Sequence, residues 1–384
     1  MLIQRIAIFI LLVSSACFAI GDDISSGNAN PSPEATQLIE SLGLREGGQP
    51  LSQHPRWEQP DYIVAIIPPQ FKPIAGAMIN KLKKSAGNIE IKSYTPTTED
   101  LPEYVKNATV VFGACSKSLL EQIPNLIWIQ INSSGSESCT SQAGVKSGDF
   151  ILSNAQKMGS VPIAEHAISL ALMLNRNLHR YYSNQRDGKW IRRLPKVRGP
   201  GELSEKTLLV LGLGGIGTEV AKRAHALGLR VIATRNSSRT GPDYVAKVGL
   251  ASDIYALAKE ADFVVNALPL TPKTNNLINK QFFSALKKGS HYISVGRGKT
   301  TNIADLITAL NEGQLAGAAL DVTDPEPLPG DHPLWKRNDV IITPHVAGFS
   351  MPAVQRSFIL YQENLRRYLN GEKLLNVVDI ERGY

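Results

Sequence analysis

The chain has 384 residues, 43% of them hydrophobic and 20% charged, with 31 glycines and 23 prolines. That length and apolar content suffice for two domains with separate cores, and they exclude a disordered or collagen-like chain. The formal charge is +7, but Lys and Arg never run longer than pairs. The excess therefore reads as a solvated surface that favours small anions, and no nucleic-acid partner is expected.

The start, "MLIQRIAIFILLVSSACFAIGDD", carries one early cation at Arg5, an apolar run over 6–13 and then small residues. This is the pattern of a secretory signal over 1–19, with Cys17 and Ala19 at the −3 and −1 positions. The run is short of the roughly 20 residues a membrane span needs. Ser14 argues against a lipid anchor on Cys17, and an uncleaved anchor stands as the alternative. An exported location, periplasmic or secreted, is expected; if translation starts further downstream, the protein is cytoplasmic. Residues 20–60 read as a polar, Pro-broken linker with one short helix in "ATQLIESLGLREGG", which ends at a Gly stop.

From residue 61, short apolar runs alternate with helix-length segments, which predicts βα units and mostly parallel sheets. "YIVAIIPP", "IEIKSY", "ATVVFGA", "LIWIQIN" and "FILSN" are five strands of a small flavodoxin-like domain. "PIAEHAISLALMLNRNLHRYYSNQRDG" has apolar residues at i, i+3, i+4 spacing and reads as one long connecting helix. "KTLLVLGLGGIGTEVAKRAHALGLRVIATR" then gives strand, G-x-G-x-x-G, helix and strand within about 30 residues. Gly212, Gly214 and Gly217 supply a tight turn, close backbone approach to a pyrophosphate and close helix–strand packing. The helix start at Gly215 and Ile216 offers free N–H groups and a positive dipole end to the phosphates. Further strands lie in "ADFVVNALPLT", "SHYISVGRGKT", "LAGAALDVTD" and "DVIITPHVAG". The final "PAVQRSFILYQENLRRYLNGEKLLNVVD" reads as an amphipathic helix and tail that returns to the first domain. The expected organisation is α/β, two Rossmann/flavodoxin-like domains with the active site in the cleft between them. The substrate domain takes 61–158 and 347–384, and the dinucleotide domain 159–346.

"GLGGIG", "ALPLTPKT", "ISVGRG", "GQLAGAALDVTDPEPLPGDHPLW" and "VIITPHVAG" together resemble the D-isomer-specific 2-hydroxyacid dehydrogenases, over about residues 60–380. The branch they look most similar to is the glyoxylate/hydroxypyruvate reductases. The resemblance implies a catalytic Arg297, Glu326 and His345, and reduction of a small 2-oxo acid to the D-2-hydroxy acid. The chemistry suits these residue types. An imidazole titrates near neutrality and can pass a proton to the carbonyl oxygen. A neighbouring carboxylate orients the ring and favours its protonated form. A guanidinium grips the substrate carboxylate with a planar fork. The resemblance also implies cofactor contacts at Leu268, Pro269, Val295, Gly296, Asp321 and Gly348, and substrate contacts at Ser134 and Gly135 in "NSSGS". Formate dehydrogenases of this superfamily carry Gln at the Glu326 position, so Glu326 favours 2-hydroxyacid chemistry. His54, His179, His225, His291 and His332 read as structural, and His166 in "AEH" matches a family pattern without a catalytic step. No metal site is read.

The end of the second nucleotide-domain strand, "RVIATRNSSR", lacks the carboxylate that would hold a ribose 2′-OH about twenty residues past the first glycine. Thr234, Arg235, Ser237, Ser238 and Arg239 suit a 2′-phosphate instead. NADP(H) is therefore the expected cofactor, with NAD possible. A reductase using NADPH fits poorly with export, because reduced nicotinamides are regenerated in the cytosol. Cys115 and Cys139 follow predicted strands; buried free thiols are the favoured reading, with a disulfide as the alternative in an oxidising compartment. The family implies a homodimer. A non-catalytic dinucleotide-sensing protein on the same fold is the rival function.

Overall fold

The structure is a computed structural model that describes residues 30–69, 72–96, 100–140, 150–194 and 201–382. The expected leader at 1–19 lies outside the described residues. The chain divides into two compact units, Met1–Ala155 with Val354–Tyr384, and Gln156–Ala353. The divisions fall at 155/156 and 353/354, against expected positions of 158/159 and 346/347.

The short helix of the linker, Pro33–Leu42, is built by local rules. The Ser32 side chain accepts from the Ala35 N–H, Pro33 opens the first turn, and Gly43 closes the helix in the left-handed region.

The first unit holds a five-stranded sheet in the order β2-β1-β3-β4-β5. The strands are β1 (Tyr62–Ile66), β2 (Glu90–Tyr94), β3 (Val110–Gly113), β4 (Trp128–Ile131) and β5 (Ile151–Ser153). Every pairing is parallel, and 2-1-3-4-5 is the flavodoxin-like order. One core gathers Val64, Ile66, Val111, Ile129 and Ile131 with Val105, Leu119 and Ile123. Trp128 and Phe112 pack with aromatics of the helix Met351–Leu369. Trp128 stacks on Tyr368 at 5.1 Å, and Phe112 meets Tyr361 edge-on at 6.3 Å. Asn364 of that helix is fully buried. It donates to Gln130 Oε1 and the Leu375 carbonyl and accepts from the Leu375 N–H, so every polar edge is met.

Cys115 and Cys139 are joined in a disulfide, with Cα atoms 5.6 Å apart. This corrects the expectation of free thiols. β3 and β4 are adjacent, so the segments leaving their carboxyl ends meet, and sequence spacing alone does not show that.

The second unit holds seven strands in the order β12-β11-β10-β9-β6-β7-β8. They are β6 (Thr207–Leu211), β7 (Arg230–Thr234), β8 (Lys247–Gly249), β9 (Phe263–Asn266), β10 (Ser290–Ser294), β11 (Leu315–Leu320) and β12 (Val340–Ile342). All pairings are parallel. Alternation along the strands feeds two cores. Leu208, Val210, Val231, Val265 and Ile293 pack with the helices Ser160–Asn175 and Gly215–Ala226, through small residues such as Ala164, Ala167, Ala171, Ala221 and Ala224. Leu209, Leu211, Ile232, Val264 and Tyr292 pack with Leu257, Phe282, Phe283, Leu306 and Leu310. A sheet covered on both faces needs near-continuous apolar strands, which is what these runs are. The strand order reverses between β6 and β9, the doubly wound switch point.

Two sequence expectations need revision. The connecting helix is two helices, Ser160–Asn175 and Leu178–Arg186. They part at Asn177, which adopts φ 55°, a left-handed geometry that asparagine tolerates better than most side chains. β8 was not anticipated, because Lys247–Gly249 holds a single large apolar residue, unlike the equally short β5 and β12, which lie in apolar runs.

Candidate active site

The expected catalytic and nucleotide-binding residues of the second unit sit where its strands end. Gly212 follows β6, Thr234 ends β7, Leu268 and Pro269 follow β9, and Val295 to Arg297 follow β10. Asp321 and Glu326 follow β11, and His345 follows β12. In open α/β sheets that carboxyl edge is where ligands bind.

The glycine turn is built for close approach. Gly212 has φ 91°, and its N–H donates to Thr234 Oγ1 at 3.1 Å. A Cβ on Gly217 would lie 2.1 Å from the Gly212 carbonyl oxygen, so the helix Gly215–Ala226 can seat against the turn only with glycine there. Gly215 is pressed on Ser160 Oγ and Lys157, whereas a Cβ on Gly214 would meet no atom within 4 Å. That open space before the first helical N–H groups, at Gly215 and Ile216, fits a dinucleotide pyrophosphate.

The stretch after β7 differs from the sequence reading. Thr234 is buried, and its hydroxyl accepts the Gly212 N–H rather than lying free for a phosphate. Arg239 forms a two-pronged pair with Asp253. The hydrogen bond from Arg239, helped by the Leu250 N–H, holds the Asp253 carboxyl below the usual carboxylate range. Arg235 donates to the Thr240 carbonyl oxygen at 3.1 Å, and Ser238 bonds Thr240.

Arg297 is aimed by its neighbours. A Cβ on Gly296 would fall 2.6 Å from the Leu268 carbonyl oxygen, and one on Gly298 would overlap the Thr323 carbonyl. The two glycines thus wedge the Arg297 backbone between the loops that follow β9 and β11. Its guanidinium donates to the Gly296 carbonyl oxygen at 2.8 Å. Asn266, absent from the sequence-based candidates, supports the loops that follow β9 and β10. Its side chain donates to Tyr292 and Thr300 at 2.8 Å each and accepts from the Leu268 N–H. A fully buried amide at the end of an apolar strand, as in "FVVNALPL", was the available signal.

His345 Nδ1 lies 3.2 Å from both Oε1 and Oε2 of Glu326, in a half-exposed pair. The other ring nitrogen, Nε2, has no hydrogen-bond partner among the described residues. His345 has φ 53°, unusual for a residue with a side chain. Its N–H donates to the carbonyl oxygens of Asp321 (2.8 Å) and Thr343 (3.0 Å). The Asp321 carboxylate, 2% exposed, lies beneath this loop. Oδ1 accepts from the Thr343 hydroxyl at 2.6 Å and the Val346 N–H at 3.0 Å, and Oδ2 accepts from the Ala347 N–H at 3.1 Å. Val295 is a core residue, and Gly348 faces Gly159 and Ile163.

In the first unit, the Ser134 hydroxyl donates to the Ala155 carbonyl at 3.0 Å, and Asn154 donates to the Ser134 carbonyl at 2.8 Å. The Gly135 carbonyl accepts from the Ser133 hydroxyl at 2.6 Å. These contacts shape the turn after β4.

Known proteins resemble this chain in sequence and in fold. The family model described as "D-isomer specific 2-hydroxyacid dehydrogenase, NAD binding domain" matches residues 168–347. A glyoxylate reductase of Thermofilum pendens is 30% identical over 289 residues, which are 74% of this chain and 85% of that protein. This chain belongs to the D-isomer specific 2-hydroxyacid dehydrogenases. It is accordingly an oxidoreductase of the NAD(P)-dependent 2-hydroxyacid class. A D-3-phosphoglycerate dehydrogenase of Methanocaldococcus jannaschii is 33% identical over 307 residues, 78% of this chain but 57% of that longer protein. Among solved structures, an NADPH-dependent glyoxylate/hydroxypyruvate reductase from Sinorhizobium meliloti, in complex with NADP and sulfate, superposes with a TM-score of 0.72. It is 25% identical and covers 84% of this chain and all of that one.

Proposed function

We propose that this dehydrogenase reduces a small 2-oxo acid of the glyoxylate or hydroxypyruvate type to the D-2-hydroxy acid, with NADPH preferred and NADH possible. The observation that carries the reading is the Glu326–His345 pair, with one ring nitrogen on the carboxylate and the other open, two strands along from Arg297. The nicotinamide, when bound, supplies hydride to the substrate's carbonyl carbon. His345 Nε2 delivers the proton to the carbonyl oxygen, and the half-exposed ring is reprotonated from water. Glu326 holds the ring by Nδ1, and Arg297 grips the substrate's carboxylate. The Ser134–Gly135 turn is proposed to present backbone N–H groups to a substrate carboxylate.

The residues present fit the dinucleotide: the open face of Gly214, the first N–H groups at Gly215 and Ile216, and Gly212 held by Thr234. Preference for the 2′-phosphate rests on Arg235 and on the lack of a carboxylate at 235–239, since Arg239 is already paired with Asp253. The reductase from Sinorhizobium meliloti, bound to NADP, supports the same choice. Export and homodimerisation belong to this proposal. The Cys115–Cys139 disulfide is what an oxidising compartment permits. Exposed Leu178, Tyr182, Trp190 and Ile191, on and after one helix, are suited to a second copy.

Initial rates on protein lacking residues 1–19 test the function, using glyoxylate, hydroxypyruvate and, in the oxidative direction, D-3-phosphoglycerate, with each cofactor. NADPH-dependent reduction of the first two that is lost in His345→Ala supports the proposal. Turnover confined to D-3-phosphoglycerate overturns the substrate class. Nucleotide binding without turnover on any 2-oxo acid favours the sensing protein.

A further inference from the structure

His166, on the helix Ser160–Asn175, belongs to no step described so far, yet it ends a polar chain that begins at His345. Its Nε2 lies 3.0 Å from Thr343 Oγ1 and 3.6 Å from Asp321 Oδ1. The Thr343 hydroxyl has a single proton, and that proton goes to Asp321 Oδ1 at 2.6 Å, because a carboxylate can only accept. Thr343 Oγ1 must then accept from His166, so Nε2 of His166 carries hydrogen. From Asp321 the chain continues into the N–H groups of Val346 and Ala347, and the Asp321 carbonyl takes the N–H of His345.

The segment 343–347 is therefore clamped on both sides of His345, at the hydroxyl two residues before and the two N–H groups after. The clamp acts where the backbone most needs it, since His345 sits at φ 53°. A left-handed conformation at a residue with a side chain persists only where its surroundings over-determine it. Without His166, the Thr343 hydroxyl is free to rotate from Asp321, and the carboxylate loses an aligned, charge-assisted bond.

We propose that His166 is a positioning residue for His345. It acts through Thr343 and Asp321 to hold the His345 backbone in its left-handed conformation, and so to aim Nε2. This rests on the reading of His345 as the proton donor, and the experiment separates the two. Steady-state kinetics with glyoxylate and NADPH are measured for His166→Ala, His166→Gln, Thr343→Val, the double variant His166→Ala/Thr343→Val, and His345→Ala. Amide hydrogen exchange at Val346 and Ala347 is followed in the same proteins without cofactor.

The expected result for His166→Ala is a fall in kcat of about 10- to 100-fold, with KM for glyoxylate within about threefold, as for loss of an interaction that matters in the transition state. His166→Gln, whose amide N–H can reach Thr343 Oγ1, should recover most of kcat. The double variant should be no worse than Thr343→Val, because both act through one chain. Exchange at Val346 and Ala347 should accelerate in His166→Ala and return toward wild type in His166→Gln. Unchanged exchange in His166→Ala overturns the proposal, and so does additivity in the double variant or failure of Gln to rescue. Full activity in His345→Ala overturns the proton-donor reading instead; the exchange data then decide by themselves whether His166 holds the loop.

Discussion

Gly214 and Gly217 lie three residues apart, and the same substitution should do opposite things at the two. A methyl group at 217 would lie 2.1 Å from the Gly212 carbonyl oxygen and 2.9 Å from Val210 Cγ1. Ordinary contact is about 3.5 Å, so the helix Gly215–Ala226 must back away by more than an ångström or the carbonyl must turn. Either movement disturbs the Gly212 N–H bond to Thr234. Overpacking of this kind costs about 1–3 kcal/mol, and the loss of melting temperature for a unit of this size is about 2–4 °C per kcal/mol. Gly217→Ala should therefore melt about 3–10 °C below wild type. At 214 nothing stands within 4 Å of the new methyl, and φ is −92°. Gly214→Ala should melt no more than about 4 °C below wild type, the cost of alanine at an N-cap being under about 1 kcal/mol. The methyl would nevertheless fill the space proposed for the pyrophosphate, so the Kd for NADPH should rise about tenfold or more. Differential scanning fluorimetry and NADPH fluorescence titration read the two effects. Wild-type NADPH affinity in Gly214→Ala would refute the placement of the phosphates, and a wild-type melting point in Gly217→Ala would refute the packing argument.

Other expectations follow from the contacts. Glu326→Gln keeps the size of the side chain but not its charge beside His345 Nδ1; kcat should fall about 10- to 100-fold with KM little changed, and an unchanged kcat would remove Glu326 from the mechanism. Reducing the Cys115–Cys139 disulfide, whose sequence separation is 24, should lower the stability of the first unit by about 3 kcal/mol in urea unfolding. Identical midpoints with and without reductant would contradict this. Burial pushes the His179 imidazole below its ordinary value of 6.5, against the pull of its bonds to the Met173 and Asn338 carbonyls. The unfolded chain thus binds the proton more tightly, and His179's contribution is full above about pH 6.5 and lost as pH falls through its lowered value. Stability should drop more between pH 7.5 and 5 in wild type than in His179→Asn; equal drops would show that this ring does not titrate on unfolding.

All the parallel strands but β8, the glycine turn and the residues after these strands were legible in the sequence because each follows from a local rule. Period and apolar run mark a strand, and glycine spacing marks the turn. Arg297, Glu326 and His345 each stand just past such a run. What the sequence left open lay in contacts between segments far apart along the chain. Thr234 at the end of β7 suits a phosphate by residue type, but the register Leu211↔Thr234 sets its hydroxyl on the Gly212 N–H. Arg239 is committed to Asp253, fourteen residues on, by the fold of the β8 edge. The cysteines pair because β3 and β4 are neighbours. Asp321 reads as a cofactor contact in isolation. The register Leu320↔Ile342 brings the next residues of β11 and β12 together, and so places its carboxylate under the His345 loop. Local chemistry determined which residues are available, and strand register, a property of pairs distant in sequence, decided which groups they meet.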